Sequence, residues 1–404
     1  MSRIQNFWLD KRNSNGDCVS QCCGCSACAN KCPKNAITMR YDQEGFLYPT
    51  IDDKLCIECG LCVKICPIKS RENLENPYMK TYAGYSLDAK IMYNSTSGGF
   101  ITALSLKIID NEGIIAGVRY KTDYIKTEYF LAENKEDVFS CSSSKYVQSE
   151  KNIVYQKVES QLKRGKQVLF VGCPCDVYAM QQYLGKSYST LLTCELVCMG
   201  VSSYKIAEAY KEYVEKKYKA KLCKINARSK RKGWFVPHLE EEYGDGRIEC
   251  NTLYGTFLGY GMQVYNRPSC FQCKFRGTKG VADIRVGDFW GIKETDPYWN
   301  EKGVSCILVR TEKGKEALAF LEKSEFLLYE TDYETATLSN MSSHSNKSYK
   351  YVKKREKFKR VFERRGLIDA CVATGTISFW TKHIIPDQYH NVIKKFYHAF
   401  KDKR

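Results

Sequence analysis

Eight cysteines near the N-terminus constrain this chain more than any other feature. They form two matching runs of the pattern C-x2-C-x2-C-x3-C-P. Three cysteines spaced three residues apart in one loop can reach three corners of an iron–sulfur cube, and the fourth reaches across to a second cube. The spacing therefore predicts two [4Fe–4S] clusters. One is held by Cys22, Cys25, Cys28 and Cys66, and the other by Cys32, Cys56, Cys59 and Cys62.

Zinc and disulfides are the alternatives for these cysteines. Zinc sites usually combine two separate C-x2-C pairs with four ligands for each ion, which fits two closely spaced triples poorly. A chain of 404 residues also does not resemble a small disulfide-rich secreted scaffold. The pattern is that of bacterial dicluster ferredoxins. Residues 1–72 are therefore predicted to form a bacterial-type 2[4Fe–4S] ferredoxin fold.

Length and cysteine content limit the class of protein. A chain of 404 residues is expected to contain two or three domains. It has no apolar run long enough for a transmembrane helix, and the first 17 residues lack the apolar core of a signal peptide. With 21 cysteines for clusters and free thiols, the chain needs a reducing compartment, so a cytoplasmic location is predicted.

The charge balance is strongly basic, with a formal net charge of +17. One interpretation is a lysine-rich composition without further meaning. The other is an acidic partner, such as an acidic electron carrier, a phosphorylated cofactor or an anionic membrane surface. No nucleic-acid-binding motif is present, so no nucleic-acid partner is predicted. Only five histidines occur, which argues against histidine-based zinc or triad chemistry.

Strand and helix patterns alternate after the ferredoxin region, which predicts an α+β (mixed α/β) fold. A hairpin around Gly45 is expected inside the ferredoxin region, and a β-rich insertion over 219–262. Strands are predicted at 82–86, 113–118, 168–171, 191–198 and 306–310, and helices at 100–109, 153–163, 176–184 and 313–323.

Residues 340–404 are predicted to form a basic, largely helical C-terminal extension. Nine lysines or arginines fall within 350–365. Residues 388–401 place apolar side chains on one helical stripe with lysines off it. Such a helix either packs on the body of the protein or docks on a partner or a peripheral membrane surface.

A second group of cysteines lies beyond the ferredoxin region. Cys175 and Cys198 follow predicted strands, where α/β proteins build their sites, and Cys270 and Cys273 form a C-x2-C pair. This arrangement predicts a third metal site. The sequence Ser97-Gly98-Gly99 opens a predicted helix, whose free backbone N–H groups form an anion site.

These features together carry a family resemblance. The segments are Thr96–Phe100, Ser144–Val147, Cys173-Pro174-Cys175, Leu196–Val201, Cys270-x2-Cys273 and Ala282–Gly291. In combination they resemble the coenzyme F420 hydrogenase/dehydrogenase beta-subunit family, over about residues 80–325. The resemblance implies a larger mixed α/β flavin-binding domain, assigned here to residues 80–335, after the ferredoxin fold.

The resemblance implies a bound FAD and a third [4Fe–4S] cluster. Carried over residue by residue, Cys175, Cys198, Cys270 and Cys273 hold the cluster. Ser97, Gly98 and Gly99 cradle the FAD pyrophosphate, Ser144, Lys145 and Tyr146 line the flavin, and Asp288, Phe289 and Trp290 lie near its ring system. Two positions depart from the family: Cys173 stands where threonine is usual and competes with Cys175 as ligand, and Met199 stands where histidine is usual.

The function expected from this combination is an iron–sulfur flavoprotein oxidoreductase. It would exchange electrons with a ferredoxin-like carrier or a partner oxidoreductase subunit, and would act on a small-molecule substrate such as F420 or another compound. Two other hypotheses remain open: a non-catalytic electron-relay subunit, and a non-enzymatic metal-binding or assembly protein. The sequence names neither the substrate nor the direction of electron flow.

Overall fold

The computed structural model describes residues 21–69, 78–277, 280–321, 323–340 and 349–375. The predictions made for the first 17 residues and for the helix over 388–401 lie outside these ranges. Among the helices within them, none combines the length and apolar character needed to cross a membrane.

The described residues contain fourteen strands in three sheets and thirteen α-helices. The strands are β1 Ile37–Tyr41, β2 Leu47–Ile51, β3 Lys80–Ser86, β4 Ile114–Tyr120, β5 Thr127–Ala132, β6 Ser149–Glu150, β7 Val168–Gly172, β8 Leu191–Leu196, β9 Leu222–Ser229, β10 His238–Tyr243, β11 Ile248–Thr252, β12 Ile284–Asp288, β13 Ser305–Val309 and β14 Phe326–Thr331. The helices are α1 Ala27–Lys31, α2 Leu61–Lys64, α3 Ala89–Asn94, α4 Phe100–Asp110, α5 Lys135–Cys141, α6 Val154–Lys163, α7 Pro174–Leu184, α8 Tyr204–Tyr218, α9 Phe257–Val264, α10 Glu312–Leu318, α11 Tyr333–Thr337, α12 Tyr349–Arg365 and α13 Leu367–Thr374.

A nine-stranded mixed sheet forms the centre of the molecule, in the order β14-β3-β13-β12-β8-β7-β4-β5-β6. Its inner strands β12, β8, β7 and β4 run parallel to one another. Strand β7 has the continuous apolar sequence VLFVG because helices cover both faces of a parallel sheet centre. The predicted mixed α/β fold class is confirmed.

Parallel strands place their carboxyl ends on one edge, and three sequence-predicted site residues meet that edge. Cys173 directly follows β7, Cys198 lies two residues after β8, and Asp288 is the last residue of β12. Ligand sites in open α/β sheets form outside the carboxyl ends of the strands. The fold therefore positions this edge as the place for chemistry.

The cysteine-rich N-terminal module packs against one flank of this sheet. Its β1–β2 hairpin turns at Gly45, which has a positive φ of 81°, and the prediction of a hairpin is confirmed. The Tyr155 hydroxyl of α6 donates to the Cys25 carbonyl at 2.8 Å. Lys31 donates to the Tyr183 carbonyl at the end of α7 at 2.7 Å. These contacts hold the module close to the carboxyl edge of the sheet.

The β-rich prediction for residues 219–262 is only partly right. Strands β9 to β11 form a three-stranded antiparallel sheet, but the segment then becomes helix α9. The Thr256 hydroxyl caps that helix by accepting from the Gly259 N–H at 3.1 Å. Because every residue of α9 except Gln263 is buried, its sequence lacks the wide polar face of a surface helix. The predicted helix over 313–323 likewise ends early, at Leu318.

Part of the basic C-terminal segment is docked on the body. In α12, the side chains of Arg355 and Phe358 are almost completely buried. Arg355 donates to the Asn266 carbonyl at 2.6 Å and pairs with Glu44 in the hairpin turn of the N-terminal module. Lys359 pairs with the same carboxylate at 2.6 Å. The helix thus joins the two ends of the described chain.

Candidate iron–sulfur and flavin sites

Four cysteines form what we call the outer thiol ring: Cys32, Cys56, Cys59 and Cys62. They line one cavity of about 540 Å³, closed on one side by apolar residues of the β1–β2 hairpin. The backbone turns back at Gly60, whose φ of 72° precedes α2 and lets the loop curl around the cavity. Cys59 is exposed at its rim. These four residues are the predicted ligands of one cluster.

The other four ferredoxin cysteines form the inner thiol set: Cys22, Cys25, Cys28 and Cys66. All but Cys22 are buried. Burial raises the pKa of the Cys28 thiol, and the charges of Cys22 and Cys66 raise it further. A hydrogen bond to Cys23 and burial raise the pKa of the Cys25 thiol, and the charges of Cys28 and Cys66 raise it further. The structure therefore brings the second predicted ligand set together.

A third group, the thiol cavity, lies at the carboxyl edge of the central sheet. It is a partly open cavity of about 850 Å³. Its lining carries six cysteines, where the sequence predicted four or five: Cys23, Cys173, Cys175, Cys198, Cys270 and Cys273. Cys23 falls outside the repeated spacing, so the sequence does not predict it as a ligand. Its position beside Cys22 is the only signal that the sequence offers.

Both candidate cysteines after β7 reach this cavity. Cys173 is hydrogen-bonded to Cys198, and this bond lowers the pKa of Cys198 to about 7. Cys175 is hydrogen-bonded to Cys23, and hydrogen bonds from Cys175 and Cys25 hold the pKa of Cys23 below its ordinary range. Both pairs are in contact, so the geometry does not choose between Cys173 and Cys175. The assignment of Cys175 as ligand stays a prediction.

Backbone N–H groups point at sulfur in all three groups, as suits iron–sulfur ligands, whose potentials depend on such hydrogen bonds. The donors are Ala36 to Cys32 at 3.3 Å, Gly24 to Cys22 at 3.4 Å, Gly200 to Cys198 at 3.4 Å and Phe275 to Cys273 at 3.4 Å. In the described ranges, no three His, Cys, Asp or Glu side chains converge as donors around a single ion. Thiols that surround cavities and receive N–H bonds fit cubane clusters.

Two buried ion pairs flank the thiol cavity. Lys151 and Asp176 pair at 3.1 Å, and burial raises the pKa of Asp176 despite that lysine. Glu195, which is completely buried in β8, accepts from Arg285 at 2.6 Å and from Arg310 at 2.7 Å. The sequence contained a signal of this network, since Glu195 is a charged residue in the otherwise largely apolar strand LLTCEL. It surrounds the cavity with fixed charges in a region of low dielectric constant.

The loops predicted to hold the flavin lie next to each other and close to the thiol cavity. Thr96 and Ser144 hydroxyls are 2.9 Å apart. Asp288 pairs with Arg228 of β9 at 2.9 Å, and Arg228 also reaches the Tyr146 hydroxyl at 3.5 Å. Strand β12 connects the two regions, because its Arg285 lines the thiol cavity and its last residue joins the flavin loops.

The glycines at the start of α4 have packing reasons of their own. A Cβ on Gly98 would lie 2.1 Å from the Gly84 carbonyl oxygen, and Gly99 has a φ of +83°. The Ser97 hydroxyl donates to the Val304 carbonyl at 2.6 Å. The tight packing and the left-handed turn thus account for these residue types, and their role as a pyrophosphate cradle stays a prediction.

Two lysines near these loops donate to backbone carbonyls. Lys145 donates to the carbonyls of Cys141 and Ser142 at 3.0 and 2.8 Å, and burial lowers its pKa to about 8. Lys230 donates to the carbonyls of Met92 and Ser97, and burial lowers its pKa to about 7. A bound polyanion would favour their charged forms. Lys230 was missed, although it lies in the basic run Arg228–Lys232.

Aromatic rings lie beside the Arg228–Asp288 pair. Trp290 stacks on Trp234 with ring centres 5.4 Å apart and an interplanar angle of 1°. The Trp234 indole N–H donates to Asp288 at 3.0 Å. Phe235 and Val236, in the same loop, are about half exposed. The predicted residues Asp288 and Trp290 therefore belong to a rigid aromatic wall with an open apolar rim.

Three family models match the chain. The coenzyme F420 hydrogenase/dehydrogenase beta subunit N-terminal model matches residues 81–153, and the corresponding C-terminal model matches residues 165–334. A 4Fe-4S dicluster domain model matches residues 21–70. The two beta-subunit models together cover more than half of the chain, and the dicluster model covers both N-terminal thiol groups.

Several known proteins are similar in sequence. An uncharacterized protein of Methanocaldococcus jannaschii is 24% identical over 376 residues, covering 83% of this chain and 95% of that protein. A subunit of the F(420)H(2) dehydrogenase of Methanosarcina mazei is 24% identical, covering 73% of this chain and 80% of that protein. Coenzyme F420-dependent sulfite reductase of M. jannaschii is 24% identical over 161 residues, which span 25% of its own length.

A solved structure is also similar. A chain of the F420-reducing [NiFe] hydrogenase complex from Methanosarcina barkeri, solved as a xenon derivative, aligns with a TM-score of 0.45 and 21% identity. The alignment covers 73% of this chain and 95% of that chain.

Proposed function

This chain belongs to the coenzyme F420 hydrogenase/dehydrogenase beta-subunit family and carries a 4Fe-4S dicluster module, and from that premise we propose that it is an iron–sulfur flavoprotein oxidoreductase. Membership in the family implies iron–sulfur electron transfer. The outer thiol ring and the inner thiol set would each hold a [4Fe–4S] cluster, and the thiol cavity a third. Lys145, Lys230 and the loops at 96–99 and 144–146 would hold FAD.

When bound, the clusters carry single electrons and the flavin exchanges one or two, so together they would join one-electron carriers to two-electron substrate chemistry. The observation that supports this most directly is the continuity of the three thiol groups. Members of all three pack in one apolar cluster, which includes Cys62, Cys28 and Cys175. At its far side, β12 leads from the cavity to the flavin loops.

The chain's own residues would place the substrate and exclude water. The stacked Trp234–Trp290 wall and the exposed Phe235 offer an apolar, aromatic face beside the fixed charges of Arg228 and Asp288. Such a face suits a planar small molecule with a polar edge, F420 among them. Cysteines that hold iron–sulfur clusters need a reducing compartment, so we place the protein in the cytoplasm.

Metal and flavin content after anaerobic reconstitution tests this proposal. We expect about twelve irons per chain, four for each cube, and one FAD released on denaturation. About eight irons with no flavin would contradict the third cluster and the flavoprotein assignment together. Assays with reduced F420, reduced ferredoxin and NADPH would then identify the class of electron donor.

A relay subunit without its own substrate is the second candidate. Leu55 and Ile57 are 50% and 58% exposed beside the outer thiol ring, which favours a protein partner at that end. Flavin content distinguishes the two candidates. A chain that holds three clusters and no FAD, and that reduces no small molecule without a second subunit, would be a relay.

A further inference from the structure

Arg267 occupies the space between two of the thiol groups. It is completely buried, and it immediately precedes the 3-10 turn Pro268–Gln272 that carries Cys270. Its side chain extends away from that turn towards the N-terminal module. There, Nε donates to the Cys22 carbonyl at 2.7 Å, and one Nη donates to the Gln148 side-chain oxygen at 3.1 Å. Arg267 therefore bridges the inner thiol set and the thiol cavity.

The positive charge of Arg267 has no carboxylate partner in the described part of the chain. Among the described residues, none forms a hydrogen bond with its buried second Nη. The guanidinium lies 4.1 Å from the ring centre of Tyr48 and 5.7 Å from that of Phe46. Burial raises the pKa of Asp42, and the charge of Arg267 opposes that rise. The Asp42 carboxylate, however, accepts a hydrogen bond from the Phe46 N–H at 2.8 Å and forms no ion pair with Arg267. The described protein thus leaves this cation uncompensated.

The groups that face the cation are thiols of both sites. Burial lowers the pKa of Arg267, but the charges of Tyr48, Cys22, Cys23 and Cys270 together raise it above its ordinary value. Burying an unpaired ion is costly, and a fold tolerates it when an opposite charge is delivered to the same place. A four-thiolate cubane cluster is anionic, and one on each side of Arg267 would supply that charge.

We propose that Arg267 is a shared counter-ion for the inner cluster and the cavity cluster, and that its charge makes both reduction potentials more positive. The inference rests on the proposed function, because it requires both clusters. Each reduction adds one electron and one negative charge to a cluster, so a fixed positive charge nearby stabilises the reduced form. Arg267 is a positioning residue: it touches a ligand loop through the Cys22 carbonyl, and its own charge acts on the clusters that the loops would hold.

Redox titration of the reconstituted full-length chain, followed by electron paramagnetic resonance with dithionite as reductant, tests this role. In R267Q, which removes the charge and keeps a donor for the Cys22 carbonyl, two of three midpoint potentials should move to more negative values. The outer-ring cluster, identified by its absence in C59S, should keep its potential. R267K, which keeps the charge, should restore the two shifted values. R119Q, in a partly exposed ion pair with Glu128, is the matched control.

Three outcomes would overturn the role of Arg267. These are unshifted potentials in an iron-loaded R267Q, an equal shift of all three clusters, and an R267K that behaves as R267Q. If R267Q does not load iron, R267H replaces it. Its inner and cavity potentials should then depend on pH where the imidazole titrates, and a pH-independent pair would refute the proposal. A wild-type chain with about eight irons and no flavin would instead refute the proposed function itself.

Discussion

The outer thiol ring and the thiol cavity use the same residue type in opposite surroundings. The ring has Cys59 exposed at its rim, beside the exposed side chains of Leu55 and Ile57. The cavity is lined by the buried pair Lys151–Asp176 and by Arg285, which pairs with the buried Glu195. Ligand chemistry is therefore similar in the two places, and solvent access and fixed charge differ.

This difference indicates separate tasks. An exposed site can be approached by a partner protein, whereas a site within fixed charges has its electrostatics set by the fold. The buried charges around the cavity also make the fold sensitive to substitution, because removing one partner of a buried ion pair lowers the free energy of unfolding. Substitutions at the two places should consequently have different kinds of effect.

The largest expected effect is the loss of an entire cluster from the cavity. We expect Cys270→Ser to lower the iron content from about twelve to about eight per chain, because one thiolate ligand is removed. The matched control, Cys223→Ser, changes an exposed cysteine outside all three groups and should retain full iron. Iron analysis of C173S and C175S would then identify the ligand after β7, which we predict to be Cys175.

A second prediction concerns the charges around the cavity. Glu195→Gln leaves the buried Arg285 and Arg310 without their shared carboxylate, so we expect the free energy of unfolding to fall by about 3–5 kcal/mol. Glu330→Gln breaks a surface pair with Lys80 whose side chains are 43% and 56% exposed, and should lower the free energy of unfolding far less. Urea unfolding measures both variants. Equal losses of the free energy of unfolding would show that the buried network contributes no more to stability than the surface pair does.

The flavin loops extend the contrast between buried and exposed charge. Lys230 has a pKa of about 7 in the unbound protein, so it loses its charge as the pH rises. We expect FAD affinity, measured by quenching of flavin fluorescence, to fall roughly tenfold between about pH 6.5 and 8.5. Since the folded pKa is below the unfolded one, the same lysine makes the apo fold more stable as pH rises above 7. Lys230→Arg should flatten the binding profile, and an unchanged profile would exclude Lys230 from the site.

The smallest effect is expected at the outer ring. Ile57→Ser should leave iron content and stability nearly unchanged, because the side chain is 58% exposed. If a carrier protein docks there, the variant should raise the KM for that carrier a few-fold without changing the rate with dithionite. Ile248→Ser, at an exposed position of β11 away from the thiols, is the control. An equal change in both variants would argue against docking at the ring.

The sequence predicted what repeats or alternates, and missed what depends on contacts between distant segments. The hairpin at Gly45 and strand β7 follow from local turn chemistry and an apolar run. The sequence does not distinguish Arg267 from other basic residues. Only the fold shows that it is buried and that it binds the carbonyl of Cys22, which lies 245 positions earlier in the chain. Cys23 and Lys230 were missed for the same reason. Helix α9 was misjudged because burial of all its residues but Gln263 leaves no wide polar face in its sequence.

The clamp between Glu44 and α12 has a consequence for the order in which the chain becomes structured during synthesis. Glu44 and Arg355 are separated by 311 positions, and Glu44 and Lys359 by 315. The hairpin turn leaves the ribosome 311 residues before Arg355, so its carboxylate meets this cation only after the intervening sheet has been synthesised. A contact of such high sequence separation forms late in folding. This attachment of the N-terminal module to α12 therefore forms later than its contacts with α6 and α7, whose residues are synthesised earlier.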